Sequence, residues 1–97
     1  MKIGVPTEIK SQENRVAITP AGVHHLTLRD HQVLVQAGAG IGSAITDDAF
    51  RQAGATIVPA AADVWGGADL LLKVKEPIAA EYGFLRPDQV LFTYLHL

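Results

Sequence analysis

Short apolar runs rich in branched residues alternate with segments that carry helix boundary signals, and this alternation restricts the fold more than any other feature. The runs are Lys2 to Val5, Gln32 to Gln36, Thr56 to Val58, Leu70 to Val74 and Val90 to Leu95. Each has the length and composition of a β-strand. Strands separated by helices lie parallel, with helices over both faces of the sheet. We therefore expect an α/β, flavodoxin-like or Rossmann-like three-layer fold with a mainly parallel five-stranded sheet.

Two of the intervening segments begin with an N-cap, which predicts where their helices start. Thr19 precedes a proline that suits the first helical turn. Thr46 is followed by two aspartates that favour the positive end of a helix, and Gly54 is placed to end that helix. Weaker helical candidates are Ala60 to Trp65 and Ala79 to Phe84.

The size and composition of the chain indicate one soluble globular domain. It has 97 residues, 48% of them hydrophobic, no cysteine and a formal net charge of −2. A domain of this size buries only about 60 to 65% of the surface of its unfolded chain, so we expect marginal stability in isolation. The chain stops directly after the last predicted strand, which predicts a fragment of a longer domain.

Several classes of function are disfavoured by the same composition. The sequence has no signal-peptide apolar region and no run near the roughly 20 apolar residues of a membrane span. It has no basic stripe, so we expect neither nucleic acid nor a membrane as a partner. His24 and His25 point to different faces of a helix, and we expect no metal site. A chain without cysteine is compatible with the cytosol, and we expect a cytoplasmic protein.

Ionisable residues follow three of the predicted strands directly. They are Glu8, Lys10, Glu13 and Arg15 after the first strand, Lys75 and Glu76 after the fourth, and His96 after the fifth. Parallel strands end at the same edge of a sheet, and ligands bind beyond that edge in open α/β folds. We therefore expect these side chains to share one rim.

The residue types on this rim suit a small carboxylic acid. An arginine such as Arg15 binds a carboxylate through two parallel hydrogen bonds, and a lysine such as Lys75 adds a charge that reaches a carbonyl oxygen. A histidine such as His96 gives or takes a proton near neutral pH. We expect Glu8 and Glu76 to orient the cations rather than to react.

Each residue also has an ordinary structural interpretation that the sequence leaves open. Lysines at strand ends are commonly solvated, and we expect this for Lys73. Arg15, in a polar loop, would ordinarily lie on the surface. His96 could cap the sheet edge through a backbone hydrogen bond.

Gly38, Gly40 and Gly42 resemble a dinucleotide-binding fingerprint, but their spacing differs from it. That motif needs a third small residue at position 43, which is Ser43, and it follows the first strand of its unit. This loop follows the second strand. We expect a structural glycine loop and no cofactor-binding residue in this chain.

Arg15, Lys75 and His96 stand in the settings ENRVAITP, LLLKVKEP and FTYLHL, which resemble the amino-terminal part of the bacterial alanine dehydrogenase family. The likeness covers the whole chain and includes MKIGVPTEIK, VLVQAGAGIGSAITD and ADLLLKVKEPIAAEYG. It implies that residues 1–97 are an incomplete N-terminal catalytic, substrate-binding domain. It also implies that the NAD-binding domain is absent from this chain.

The resemblance further implies NAD-dependent, reversible oxidative deamination of L-alanine to pyruvate and ammonia by a homo-oligomer, commonly a hexamer. By the same resemblance, Arg15 and Lys75 hold the carboxylate and oxygen of the substrate, and His96 is the catalytic acid-base. We expect the isolated chain to be inactive, because it cannot bring a nicotinamide within hydride reach of the substrate.

Other relationships fit the sequence less well. The alpha subunit of nicotinamide nucleotide transhydrogenase resembles the chain in fold and in its RVA-TP segment, but its pattern lacks counterparts of Lys75 and His96. Saccharopine dehydrogenase is a more distant relative. A non-catalytic, flavodoxin-like carboxylate sensor is an open alternative. A phosphoacceptor receiver is disfavoured, because such a protein has an aspartate at the end of its third strand, where this chain has Pro59.

Overall fold

The computed structural model describes residues 1–94, and within them five strands form one parallel sheet. The strands are β1 (Lys2–Val5), β2 (Gln32–Gln36), β3 (Thr56–Val58), β4 (Leu70–Lys73) and β5 (Val90–Thr93). Their order across the sheet is β3-β2-β1-β4-β5, and every pairing is parallel. The predicted α/β fold is confirmed, with β1 at the centre of the sheet.

The connections between strands contain three α-helices and two 3-10 helices. The α-helices are α1 (Pro20–Leu28), α2 (Asp47–Ala53) and α3 (Ala61–Gly67), and the 3-10 helices are Ile41–Ser43 and Ala79–Phe84. Both predicted N-caps are confirmed, because the hydroxyl oxygens of Thr19 and Thr46 accept backbone N–H groups at 3.1 Å. Gly54 ends α2 in the left-handed region, with a φ of +112°. No helix within residues 1–94 combines the length and apolarity needed to cross a membrane.

Helices cover both faces of the sheet, which gives the three expected layers. On one face, Val5 and Val35 pack in a buried cluster with Val23 of α1 and Phe50 of α2. On the other face, α3 approaches β1 closely at Gly4, where an added Cβ would lie 2.7 Å from the Cβ of Ala68. Burial of one such valine or phenylalanine side chain stabilises the fold by roughly 1.5–3 kcal/mol.

The two last strands are shorter than the sequence predicted. β4 ends at Lys73 instead of Val74, and β5 ends at Thr93. The prediction extended the fifth strand to Leu95, which lies outside the described residues. β5 forms the outer edge of the sheet, where Val90 and Phe92 are each 55% exposed.

Candidate substrate-binding site

The loop after β1 and the segment after β4 meet at the carboxyl edge of the sheet. Lys10 and Glu76 form an ion pair between them. A cavity of about 420 Å³ opens beside this pair, lined by Ser11, Gln12, Glu13, Asn14, Arg15 and Lys75. The structure thus brings Arg15 and Lys75 to one polar space, although they come from opposite ends of the chain.

Arg15 holds the carboxylate of Glu13 through a two-pronged contact. Its Nε donates to Oε2 at 3.0 Å and its Nη2 donates to Oε1 at 2.8 Å, while its backbone N–H also donates to Oε2 at 2.8 Å. The side-chain bond and then the backbone bond from Arg15 lower the pKa of Glu13 from 4.5 to about 2. Glu13 is therefore ionised near neutral pH. The Arg15 side chain remains 62% exposed, so its guanidinium is still accessible from solvent.

Arg15 also lines a second cavity, which is mainly apolar. Its volume is about 320 Å³, and it is lined by Arg15, Val16, Ile18, Thr19, Ser43, Ile45, Val74 and Tyr94. Arg15 therefore borders a polar and an apolar space. This arrangement can bind a molecule that carries a carboxylate beside a small apolar group.

Lys73 is buried, and the prediction that it is a solvated edge residue was wrong. Its side chain is 1% exposed, and its Nζ lies 3.0 Å from Oε1 of Glu8 and 3.1 Å from Oε2 of Glu81. An ammonium can leave water only when it is paired and hydrogen-bonded, and these two carboxylates meet that requirement. The signal in the sequence was alternation along β4, because Lys73 has the same inward position as the buried Leu71.

Glu8 also holds the backbone that carries Lys75. Its Oε2 accepts the N–H of Val74 at 3.0 Å, and its Oε1 accepts the N–H of Lys75 at 3.1 Å. Both N–H groups lie just beyond the last residue of β4. Buried backbone donors need a partner, and the Glu8 carboxylate supplies it for both.

The glycine loop after β2 packs against the loop that carries Arg15. A Cβ added at Gly42 would lie 2.5 Å from the carbonyl oxygen of Asn14, and one at Gly40 would lie 2.7 Å from the carbonyl oxygen of Ile45. Ser43 donates its hydroxyl to the same Asn14 carbonyl at 3.3 Å. Protein backbone lies where side chains at Gly40 and Gly42 would project, whereas Gly38, Ala39 and Gly42 line part of a further cavity of about 120 Å³. The structural role of the loop stays a prediction.

His96, which the sequence analysis assigned to proton transfer, lies outside the described residues. Within residues 1–94, no group of three or more His, Cys, Asp or Glu side chains is arranged to hold a metal ion.

Known proteins resemble this chain over nearly its whole length. The family described as alanine dehydrogenase/PNT, N-terminal domain, matches residues 4–97. An alanine dehydrogenase of Mycobacterium tuberculosis is 68% identical over 97 residues, which is 100% of this chain and 26% of the relative. An alanine dehydrogenase of Methanococcus maripaludis is 54% identical with the same coverage.

Two solved structures share the fold. An L-alanine dehydrogenase superposes with a TM-score of 0.95 at 49% identity, covering 99% of this chain and 26% of that chain. A transhydrogenase from Sinorhizobium meliloti superposes with a TM-score of 0.90 at 35% identity, covering 98% and 27%. The chain spans about a quarter of the length of these relatives.

Proposed function

This chain belongs to the alanine dehydrogenase/PNT N-terminal domain family, and from that premise we propose that it is the substrate-binding part of an NAD-dependent alanine dehydrogenase. In that reaction L-alanine, NAD⁺ and water give pyruvate, ammonium, NADH and a proton. One observation carries the proposal: the guanidinium of Arg15 and the side chain of Lys75 line a single polar cavity at the carboxyl edge of the sheet.

Arg15 binds the carboxylate of alanine or pyruvate in this proposal. An arginine has five N–H donors, and the side-chain bonds to Glu13 use two of them. The exposed guanidinium therefore has donors left for a second carboxylate. Glu13 keeps the guanidinium in one orientation, which reduces the entropy lost when substrate binds.

Lys75 and His96 complete the proposed site. Lys75 brings a second positive charge to the cavity and donates a hydrogen bond to the substrate oxygen. His96 takes and returns the proton that moves when the C–N bond of the substrate is broken or formed. Its role rests on the family resemblance of the segment FTYLHL.

NAD supplies the hydride acceptor for the Cα of alanine. The glycine loop of this chain lacks the spacing of a dinucleotide-binding fingerprint, so we assign the cofactor to a further domain of the enzyme. The 97-residue chain alone should therefore be inactive. Alanine-dependent NADH formation by that chain alone would contradict this assignment.

A chimeric enzyme tests the proposal directly. Residues 1–97 of this chain would replace the matching 97 residues of the Mycobacterium tuberculosis relative, to which they are 68% identical. We expect the chimera to form NADH from alanine, because the proposed substrate-binding residues would then act beside a domain that supplies the cofactor. A folded chimera without alanine-dependent activity would overturn the proposal.

Variants of the chimera assign the roles of the two cations. Arg15→Lys keeps the charge but loses the two-pronged geometry, and Lys75→Met removes the ammonium. Each should lower kcat/KM by about two orders of magnitude or more, the scale set by loss of a charge-assisted contact in a site. Arg51→Met is the control, because Arg51 forms an exposed pair with Asp48 on α2 and should leave kcat/KM unchanged.

The same experiment separates the enzyme from the alternatives. A carboxylate sensor would bind pyruvate but give no turnover in the chimera, and a transhydrogenase-like domain would give turnover without dependence on alanine. The cytoplasmic location is a prediction from the sequence composition, and the hexameric assembly is a prediction from the family resemblance.

A further inference from the structure

We infer that Glu8 is a positioning residue for the substrate site: its buried carboxylate, anchored by Lys73, fixes the backbone at residues 74 and 75 and so holds Lys75 at the cavity that Arg15 lines. The inference rests on the proposed function, since it explains how one of the proposed substrate-binding cations is kept in place.

The hydrogen bonds of Glu8 account for both of its oxygens. Oε1 accepts from Nζ of Lys73 at 3.0 Å and from the backbone N–H of Lys75 at 3.1 Å. Oε2 accepts from the backbone N–H of Val74 at 3.0 Å. The Glu8 side chain is only 1% exposed, so water does not compete for these bonds. Three donors from one segment thus fix the carboxylate, and the carboxylate fixes that segment in return.

The sheet explains why the segment needs such a partner. β1 and β4 pair only at Ile3 with Leu70 and at Gly4 with Leu71. The N–H groups of Val74 and Lys75 lie beyond this pairing, and the Glu8 carboxylate accepts both of them in place of strand carbonyls.

The charges of the cluster support the same role. Hydrogen bonding to Glu13 raises the pKa of Arg15 most, and the negative charge of Glu8 adds to that rise. The Glu8 carboxylate therefore also favours the charged form of Arg15.

Glu81 provides a matched comparison, because it binds the same ammonium, whereas the backbone N–H groups of Val74 and Lys75 donate to Glu8. Its Oε2 lies 3.1 Å from Nζ of Lys73, and its Oε1 accepts the backbone N–H of Ile78 at 3.2 Å. Glu8 and Glu81 are nearly equally buried. Substitution at either position removes a buried carboxylate beside Lys73, but only substitution of Glu8 releases the backbone of Lys75.

The test is a double-mutant cycle in the chimeric enzyme, read from pyruvate affinity by calorimetry with NADH present. Glu8→Gln and Glu81→Gln are each made alone and together with Lys75→Met. We expect Glu8→Gln to weaken pyruvate binding about tenfold or more, and Glu81→Gln less than about threefold. In the Lys75→Met background, the additional effect of Glu8→Gln should fall below about threefold, because the group that Glu8 positions is already gone.

Two results would overturn the inference. One is full additivity of Glu8→Gln and Lys75→Met, and the other is an equal loss of affinity in Glu8→Gln and Glu81→Gln. If Glu8→Gln does not accumulate as folded protein, Glu8→Asp enters the same cycle, since it keeps the charge opposite Lys73 but shortens the reach to the backbone. An unsubstituted chimera without turnover would count against the proposed function alone, because the cycle is read from binding.

Discussion

Lys73 and Arg15, two of the cations paired with glutamate at the carboxyl edge of the sheet, differ in exposure. Lys73 is 1% exposed and is bound by Glu8 and Glu81, whereas Arg15 is 62% exposed and is bound by Glu13. The ammonium of Lys73 is shielded from solvent and lies beside two carboxylates, while the guanidinium of Arg15 is accessible to solvent. The same pairing chemistry therefore stabilises the interior at Lys73 and leaves an accessible cation at Arg15.

The largest expected effect comes from removing the buried cation. Lys73→Met leaves Glu8 and Glu81 buried without their counter-charge, and breaking a buried pair in this way costs about 3–5 kcal/mol. Urea unfolding of the chain, followed by the fluorescence of the buried Trp65, measures this loss. If the free energy of unfolding fell by less than about 1 kcal/mol, the buried pair would be no stronger than an exposed one, because exposed ion pairs contribute about that much.

The next largest effect concerns the glycine loop that packs against the loop carrying Arg15. Gly42→Ala places a Cβ 2.5 Å from the Asn14 carbonyl, so the loop that carries Arg15 must shift. We expect about tenfold weaker pyruvate binding in the chimeric enzyme, since a displacement of about 1 Å costs up to two orders of magnitude in a site.

Gly66→Ala is the control for that substitution. Gly66 lies in α3 with no atom within 4 Å of the added Cβ, so alanine should stabilise the helix by roughly 0.5–1 kcal/mol and leave binding unchanged. Equal pyruvate affinities in the two alanine variants would show that the glycine loop does not support Arg15.

A smaller effect is expected from pH at the Glu13–Arg15 pair. Glu13 has a pKa of about 2 when folded and an ordinary value of 4.5, so its contribution to stability is complete above pH 4.5 and is lost as pH falls toward 2. A carboxyl-carbon NMR titration of Glu13 should follow this low pKa in the native chain. In Arg15→Met it should move up toward 4.5, and an unchanged titration would mean that Arg15 is not its cause.

The smallest effect belongs to the pair of Lys10 and Glu76. Both side chains are substantially exposed, at 42% and 58%, so solvent screens the attraction. Lys10→Met should leave the urea midpoint within experimental error. A loss as large as that of Lys73→Met would show that exposure does not decide the strength of these pairs.

The sequence predicted the local structure and the meeting of distant loops. Thr19 and Thr46 were recognisable as N-caps because each contacts an N–H group three residues away. Arg15 and Lys75 could be assigned to one rim because parallel strands order their ends, whatever the details of packing. Both inferences needed only short-range chemistry or the direction of the strands.

The burial of Lys73 was not predicted, because it depends on partners that are distant in the sequence or only weakly indicated by it. One partner, Glu8, lies 65 residues earlier in the sequence. The other, Glu81, lies in a 3-10 helix that the sequence indicated only weakly. A lysine at the end of a strand gives no local sign of such partners. The pattern along β4, in which Lys73 alternates with Leu71 on the inner side, was the available indication.

The central position of β1 has a consequence for the order of folding. The bonds from the Glu8 carboxylate to the backbone of Val74 and Lys75 close loops of 66 and 67 residues. Such non-local contacts form slowly, because most of the chain must be ordered before they repay the entropy of closure. A carboxylate ligand can therefore recognise only a fully assembled domain, and at a hundred times its dissociation constant it would deepen the native minimum by about 2.7 kcal/mol.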